Sequence, residues 1–108
     1  MASVIKHDEA FITEINGGIR RVLSHTPDMM VVEIEFEKGA VGKTHTHPHV
    51  QSSYVKNGKF EYTVGDEKNI ISEGDSITVE NGELHGCVCL EKGTLIDVFS
   101  PEREDFLK

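Results

Sequence analysis

The stretch Gly39-Ala-Val-Gly-Lys-Thr-His45-Thr-His47-Pro-His49-Val-Gln51-Ser-Ser-Tyr-Val-Lys-Asn57-Gly58 holds three of the chain's six histidines within five positions. His45 and His47 stand two apart, so on an extended strand both imidazoles leave the same face. Gln51 follows four residues after His47, beyond a proline that bends the chain. Far downstream, Gly82-Glu-Leu-His85 offers a further imidazole. Two imidazoles on one face and a distant third make a donor set for a transition metal, if the rest of the chain builds a pocket around them.

The rest reads as β structure. Met30, Val32, Ile34 and Phe36 alternate with Val31, Glu33, Glu35 and Glu37, a half-buried strand with a charged outer face. Gly17-Gly18 marks a turn before Ile19-Arg-Arg-Val-Leu23, and His25-Thr-Pro27-Asp28 marks another. Asn57-Gly58, set between two strand-like runs, carries the strongest short-range hairpin signal. Gly65-Asp66-Glu67, Glu73-Gly74-Asp75, Asn81-Gly82-Glu83 and Glu91-Lys92-Gly93 punctuate the remaining short strands. Turns this frequent, with no helical segment between them, predict an all-β sandwich or barrel. One domain over residues 1–108 is expected, with its core at about 18–100. In the tail, Ser100-Pro101-Glu102-Arg103-Glu104 has a capping serine, a proline at the first helical position and acids in the first turn. That pattern predicts one helical turn that packs Phe106 and Leu107 back onto the barrel.

Composition narrows the partners. The 108 residues carry a formal net charge of -8, which argues against nucleic acid or an anionic membrane as partner. No apolar stretch approaches the roughly 20 residues that cross a bilayer, and the N-terminus lacks a signal-peptide apolar region, so a soluble cytoplasmic protein is expected. Cys87 and Cys89, at i and i+2, are badly placed to bridge each other and read as small buried hydrophobes. A thiolate metal site would need further cysteines, and there are none.

Two motifs now carry a resemblance. Gly39, His45, His47, Gln51 and Gly58 resemble the first cupin motif, G-x5-H-x-H-x3-E-x6-G, with glutamine in the glutamate position. Gly74, Gly82 and His85 resemble the second, G-x5-P-x-G-x2-H-x3-N, with Glu80 for the proline and Cys89 for the asparagine. The resemblance implies a cupin jelly-roll β-barrel holding one divalent metal on His45, His47, Gln51 and His85. Three imidazoles suit zinc, nickel, iron or copper alike, and the resemblance implies zinc, nickel, iron or manganese. A neutral glutamine leaves the metal more electron-poor than a glutamate would, which favours Lewis-acid work over dioxygen activation. His49 falls outside the motif, at the pocket rim, and His7 and His25 read as surface residues.

In Leu95-Ile-Asp97-Val-Phe99, parity sets Leu95, Asp97 and Phe99 on one face and Ile96 and Val98 on the other. Asp97 is either a surface partner of Arg103 or a buried acid with a raised pKa that exchanges protons near neutrality. Arg103 offers a bidentate fork for a carboxylate. Five stretches, including His45-Thr-His-Pro-His-Val-Gln51, His85-Gly-Cys-Val-Cys-Leu-Glu91 and Asp97-Val-Phe-Ser-Pro-Glu-Arg-Glu-Asp-Phe-Leu107, resemble the KdgF-type small cupins of pectin and alginate breakdown. That resemblance implies a metal-dependent enzyme that turns 4,5-unsaturated monouronates into linear keto sugars. It implies catalytic roles for Asp97 and Arg103 and substrate contacts from Phe99, Arg103 and His49. A homodimer paired through an outer face such as Ile96 and Val98 is expected at family level. The alternatives are a metal-dependent cupin dioxygenase and a sugar-binding cupin without turnover.

Overall fold

A computed structural model describes residues 2–108, and eight antiparallel strands account for most of them. They are β1 (Phe11–Ile15), β2 (Gly18–Thr26), β3 (Met29–Phe36), β4 (Val41–His45), β5 (Val50–Val64), β6 (Glu67–Ser72), β7 (Ser76–Val79) and β8 (His85–Ser100). The ladder runs β1-β2-β3-β8-β5-β6, with β4 added to β8 and β7 added to β5.

The long strands β5 and β8 pair from Val50 opposite Ser100 to Val64 opposite His85. Each is shared between two half-sheets. One half of β8 pairs with β3 and the other with β4, while β5 passes from β7 to β6. The jelly roll is therefore one ladder bent across its two longest members. The ladder is not closed on itself, since β1 and β6 remain edges.

The bend overturns two expected turns. Asn57-Gly58 is not a hairpin, and Glu91-Lys92-Gly93 is not a turn; both lie inside long strands, opposite one another. A type I′ hairpin needs positive φ at both central residues. Gly58 has φ +87°, but among the described residues no non-glycine residue has positive φ, Asn57 included. The register shifts three times between Val55 and Phe60, as bulges bend a strand. The two backbones also approach too closely for side chains. A Cβ on Gly58 would lie 2.6 Å from Gly93 Cα, and one on Gly93 would collide with Asn57 O. The true hairpin comes later, at Gly65-Asp66, between Val64 and its partner Glu67.

Alternation in β3 holds as read: Met30, Val32, Ile34 and Phe36 are buried against Phe60, Leu95 and Phe99. On its other face Glu33 is buried as well, with His7 Nε2 3.2 Å from its carboxylate and Arg21 nearby. Cys87 and Cys89 are free thiols. Among the described residues no helix is long and apolar enough to cross a membrane.

The tail differs in detail. A single 3-10 turn spans Glu104–Leu107, so it starts later than the Ser100-Pro101 cap signal predicts. Ser100 closes β8 instead, and its hydroxyl donates to Asp28 O at 2.9 Å. Phe106 packs edge-on against Phe99 at 5.6 Å, while Leu107 stays exposed.

Candidate active site

Strand register assembles the site. His45, the last residue of β4, pairs with His85, the first residue of β8. His47 lies past the end of β4, so the turn into β5, and not strand parity, brings its ring to 5.3 Å from His45 and 4.7 Å from His85. One ligand nitrogen from each of the three falls within 4.8 Å of the others.

Two of the rings are aimed by the same device. His45 Nδ1 lies 2.7 Å from Lys43 O, and His85 Nδ1 lies 2.9 Å from Glu83 O. A carbonyl only accepts, so in both rings Nδ1 carries the hydrogen and Nε2 is the free nitrogen. Burial lowers the pKa of His85 and pushes that of His47 down to about 4, with the Arg103 charge adding to the effect on His47. Both rings are therefore neutral near pH 7, the form that binds metal. His85 Nε2 and His47 Nδ1 are buried without a hydrogen-bond partner.

Gln51 completes the group, and the structure supplies a reason for glutamine. Its Nε2 donates to Ser53 Oγ and to Tyr62 Oη, both at 3.0 Å, which turns Oε1 toward His47 Nε2, also 3.0 Å away. Two donors bound to one ion at roughly 2.1 Å and a right angle stand about 3.0 Å apart, so this separation suits either a hydrogen bond or two ligands of one cation. A glutamate could not make the same contacts, because Ser53 already commits its hydrogen to Asp97 Oδ1 at 2.6 Å. The donor set and its buried, unpartnered nitrogens fit a divalent transition metal.

Asp97 sits directly opposite Ser53 in the β5–β8 register, with Gln51 opposite Phe99 on the same inner face. The carboxylate is buried, and loss of hydration raises its pKa to about 6 against the opposing pull of Ser53 and Arg103. It is not the surface partner of Arg103. Arg103 is buried too, but its Nε and Nη2 hold Asp105 at 3.0 and 2.8 Å, which depresses the Asp105 pKa. The bidentate fork expected for a ligand is thus already engaged within the chain.

A cavity of about 370 Å³ joins these groups. His45, Gln51 and His85 line one part of its wall, and Asp97, Phe99 and Arg103 line another. His47 is buried and is not part of this lining. His49 is held at the rim by a 3.0 Å hydrogen bond to Glu102 O and does not line the cavity. His7 and His25 are exposed and pair with Glu33 and Glu102. Sequence reasoning missed Ser53, Tyr62 and Arg20. Ser53 shares the inner parity of Gln51, and Tyr62 that of the buried Phe60, a signal visible only once β5 is known to be one strand. Arg20 stands opposite the buried Ile34, and the pair Arg20-Arg21 alone does not say which guanidinium points inward.

Comparisons with known proteins agree with this architecture. A family model for the cupin domain matches residues 32–99. The pectin degradation protein KdgF of Dickeya dadantii (strain 3937) is 44% identical over 103 residues, covering 93% of this chain and 94% of that protein. The crystal structure of an RmlC-like cupin from Shewanella frigidimarina NCIMB 400 has a TM-score of 0.92 at 39% identity, over 98% of this chain and 96% of that one. The structure of KdgF from Halomonas sp. has a TM-score of 0.89 at 38% identity, over 97% and 98%.

Proposed function

Because the chain belongs to the KdgF-type cupins, we propose that it opens 4,5-unsaturated monouronates, the monomers left by lyase cleavage of pectin or alginate, to linear keto sugars. The observation that carries the reading is Asp97: a buried acid with a pKa of about 6, in the wall of a cavity that His45 and His85 of the three-histidine cluster also line. An acid tuned this close to neutrality can both release and recover a proton at physiological pH.

The substrate is a cyclic enol ether with a carboxylate on C5. A divalent metal on His45, His47, Gln51 and His85 would supply Lewis-acid polarisation of substrate oxygens. Asp97 delivers a proton to C4, and a water oxygen adds to C5. The hemiketal so formed opens by cleavage of the C5–O5 bond, leaving a ketone at C5 and a hydrated aldehyde at C1. Loss of water from C1 returns what was taken up, so the change is an isomerisation that needs no oxidant. Ser53 holds Asp97 in place through the 2.6 Å hydrogen bond, and Phe99 gives the sugar ring an apolar face beside it. The cavity suits a monosaccharide, at the small end of ligand-pocket sizes.

The test incubates the protein with unsaturated galacturonate and follows loss of the conjugated C4=C5 absorbance, with and without chelator, beside an oxygen electrode. Chelator-sensitive loss without oxygen uptake is expected. Oxygen consumption would point to a dioxygenase, and no loss at all to a binding protein; either result sinks the proposal. Asp97→Asn is expected to retain metal and lose turnover.

A further inference from the structure

The cavity reverses the charge balance of the chain that forms it. The whole sequence has 19 acidic against 11 basic residues, yet the charged residues of the lining are Arg20, Lys43 and Arg103 with one acid, Asp97. An acidic protein that concentrates guanidinium groups in one concave site favours an anion there. The two arginines are not equivalent. Arg103 spends its Nε and Nη2 on Asp105. Arg20 makes no hydrogen bond or ion pair among the described residues, and its Nε is buried without a partner. Its neighbour Arg21, on the opposite face of β2, also has a buried nitrogen, Nη1, without a hydrogen bond, but that nitrogen lies 3.0 Å from Glu35 in an ion pair, whereas Arg20 has no carboxylate within ion-pair distance among the described residues.

Arg20 is also positioned. Its Cζ lies 3.9 Å from the centroid of Phe106, and that of Arg103 lies 4.2 Å from the same ring, so one aromatic steadies both guanidinium groups. Burial and the nearby Arg103 charge lower the Arg20 pKa, partly offset by Asp105. Asp105 offsets the Arg103 repulsion at Arg20, so what the wall leaves open is the unused hydrogen-bond donors of Arg20, which a carboxylate can accept from.

Resting on the ring-opening reading above, we propose that Arg20 is the residue that binds the substrate carboxylate and makes the site selective for the free acid over its ester. Arg103, tied to Asp105, adds charge to the same place. Removing the guanidinium should therefore abolish a preference, beyond simply weakening binding.

The experiment titrates zinc-loaded wild type, Arg20→Gln and Arg20→Lys with galacturonate and with its methyl ester, read by NMR. Neither ligand has the C4=C5 bond, so the measurement does not depend on turnover. Wild type is expected to prefer the acid by about 10- to 100-fold, the range of a charge-assisted bidentate contact. Arg20→Gln should lose that preference while binding the ester within about twofold of wild type, and Arg20→Lys should keep part of it. An Arg20→Gln protein that retains the preference, or loses affinity for acid and ester alike, would overturn the assignment, as would a wild type that does not distinguish them. If the preference depends on Arg20 but the unsaturated uronate is not turned over, the carboxylate site stands and the ring-opening reading falls.

Discussion

Replacing Asp97 by asparagine should change the pH dependence of stability in a defined direction. The Asp97 pKa moves from 3.8 to about 6 on folding because its carboxylate loses hydration. A shift of about two units, at about 1.4 kcal/mol each, is worth up to about 3 kcal/mol. The folded state holds the proton more tightly, so this group opposes folding only when it must ionise. Its contribution is fully favourable below about pH 4 and is lost as pH rises through about 6. The amide of the Asp97→Asn variant cannot ionise, and its Oδ1 still accepts the hydrogen bond from Ser53. His47 titrates in the opposite sense, costing stability as pH falls from its ordinary range toward 4, but both proteins carry it and the difference cancels. Urea unfolding of the two metal-free proteins between pH 4 and pH 7 should show wild type losing up to about 3 kcal/mol relative to Asp97→Asn. In a domain of this size that is more than about 10 °C in Tm. Curves that run parallel within about 0.5 kcal/mol would refute the burial argument.

Three further outcomes are expected. Gln51→Glu removes both N–H groups that serve Ser53 and Tyr62, and should cost the metal-free protein about 1–3 kcal/mol in urea unfolding; an unchanged midpoint would mean that the amide is not what the two hydroxyls require. Gly93→Ala drives a Cβ into the Asn57 backbone where β5 and β8 bend together, and should cost about 2–3 kcal/mol, whereas a loss under about 0.5 kcal/mol would show that the two strands can separate there. His85→Ala should weaken metal binding by more than about tenfold, measured by metal content after dialysis, with near-wild-type far-UV circular dichroism; full metal retention would remove His85 from the site.

Much of the site was legible because its chemistry is local in sequence. The spacing of His45, His47 and Gln51 and the lone His85 marked a donor set, and the structure brings all four side chains together, with His45, Gln51 and His85 in the wall of one cavity. Period-2 alternation likewise identified the inward faces of β3 and of the last part of β8, where Leu95, Asp97 and Phe99 are all buried. Asn57-Gly58 misled because the same dipeptide serves a tight turn or a bulged bend, and the choice depends on what lies across from it. Only Gly93, thirty-five positions away, lets the two backbones come close enough for the bend.

Side-chain partners were the other quantity beyond local reading. Arg103 followed Asp97 closely enough to suggest a pair, yet the 3-10 turn at Glu104–Leu107 gives its fork to Asp105 and leaves Arg20, more than eighty positions upstream, as the free guanidinium. Sequence by itself determined the β class, the alternation of β3, the family and the donor types, since alternation and motif spacing are properties of neighbouring residues, but not that β5 and β8 each run unbroken through an expected turn. Tertiary structure alone decided which hydroxyls hold Gln51, why Asp97 keeps its proton toward neutrality and which arginine is unpaired. Those depend on distances and burial created when β2, β5 and β8 close around one cavity.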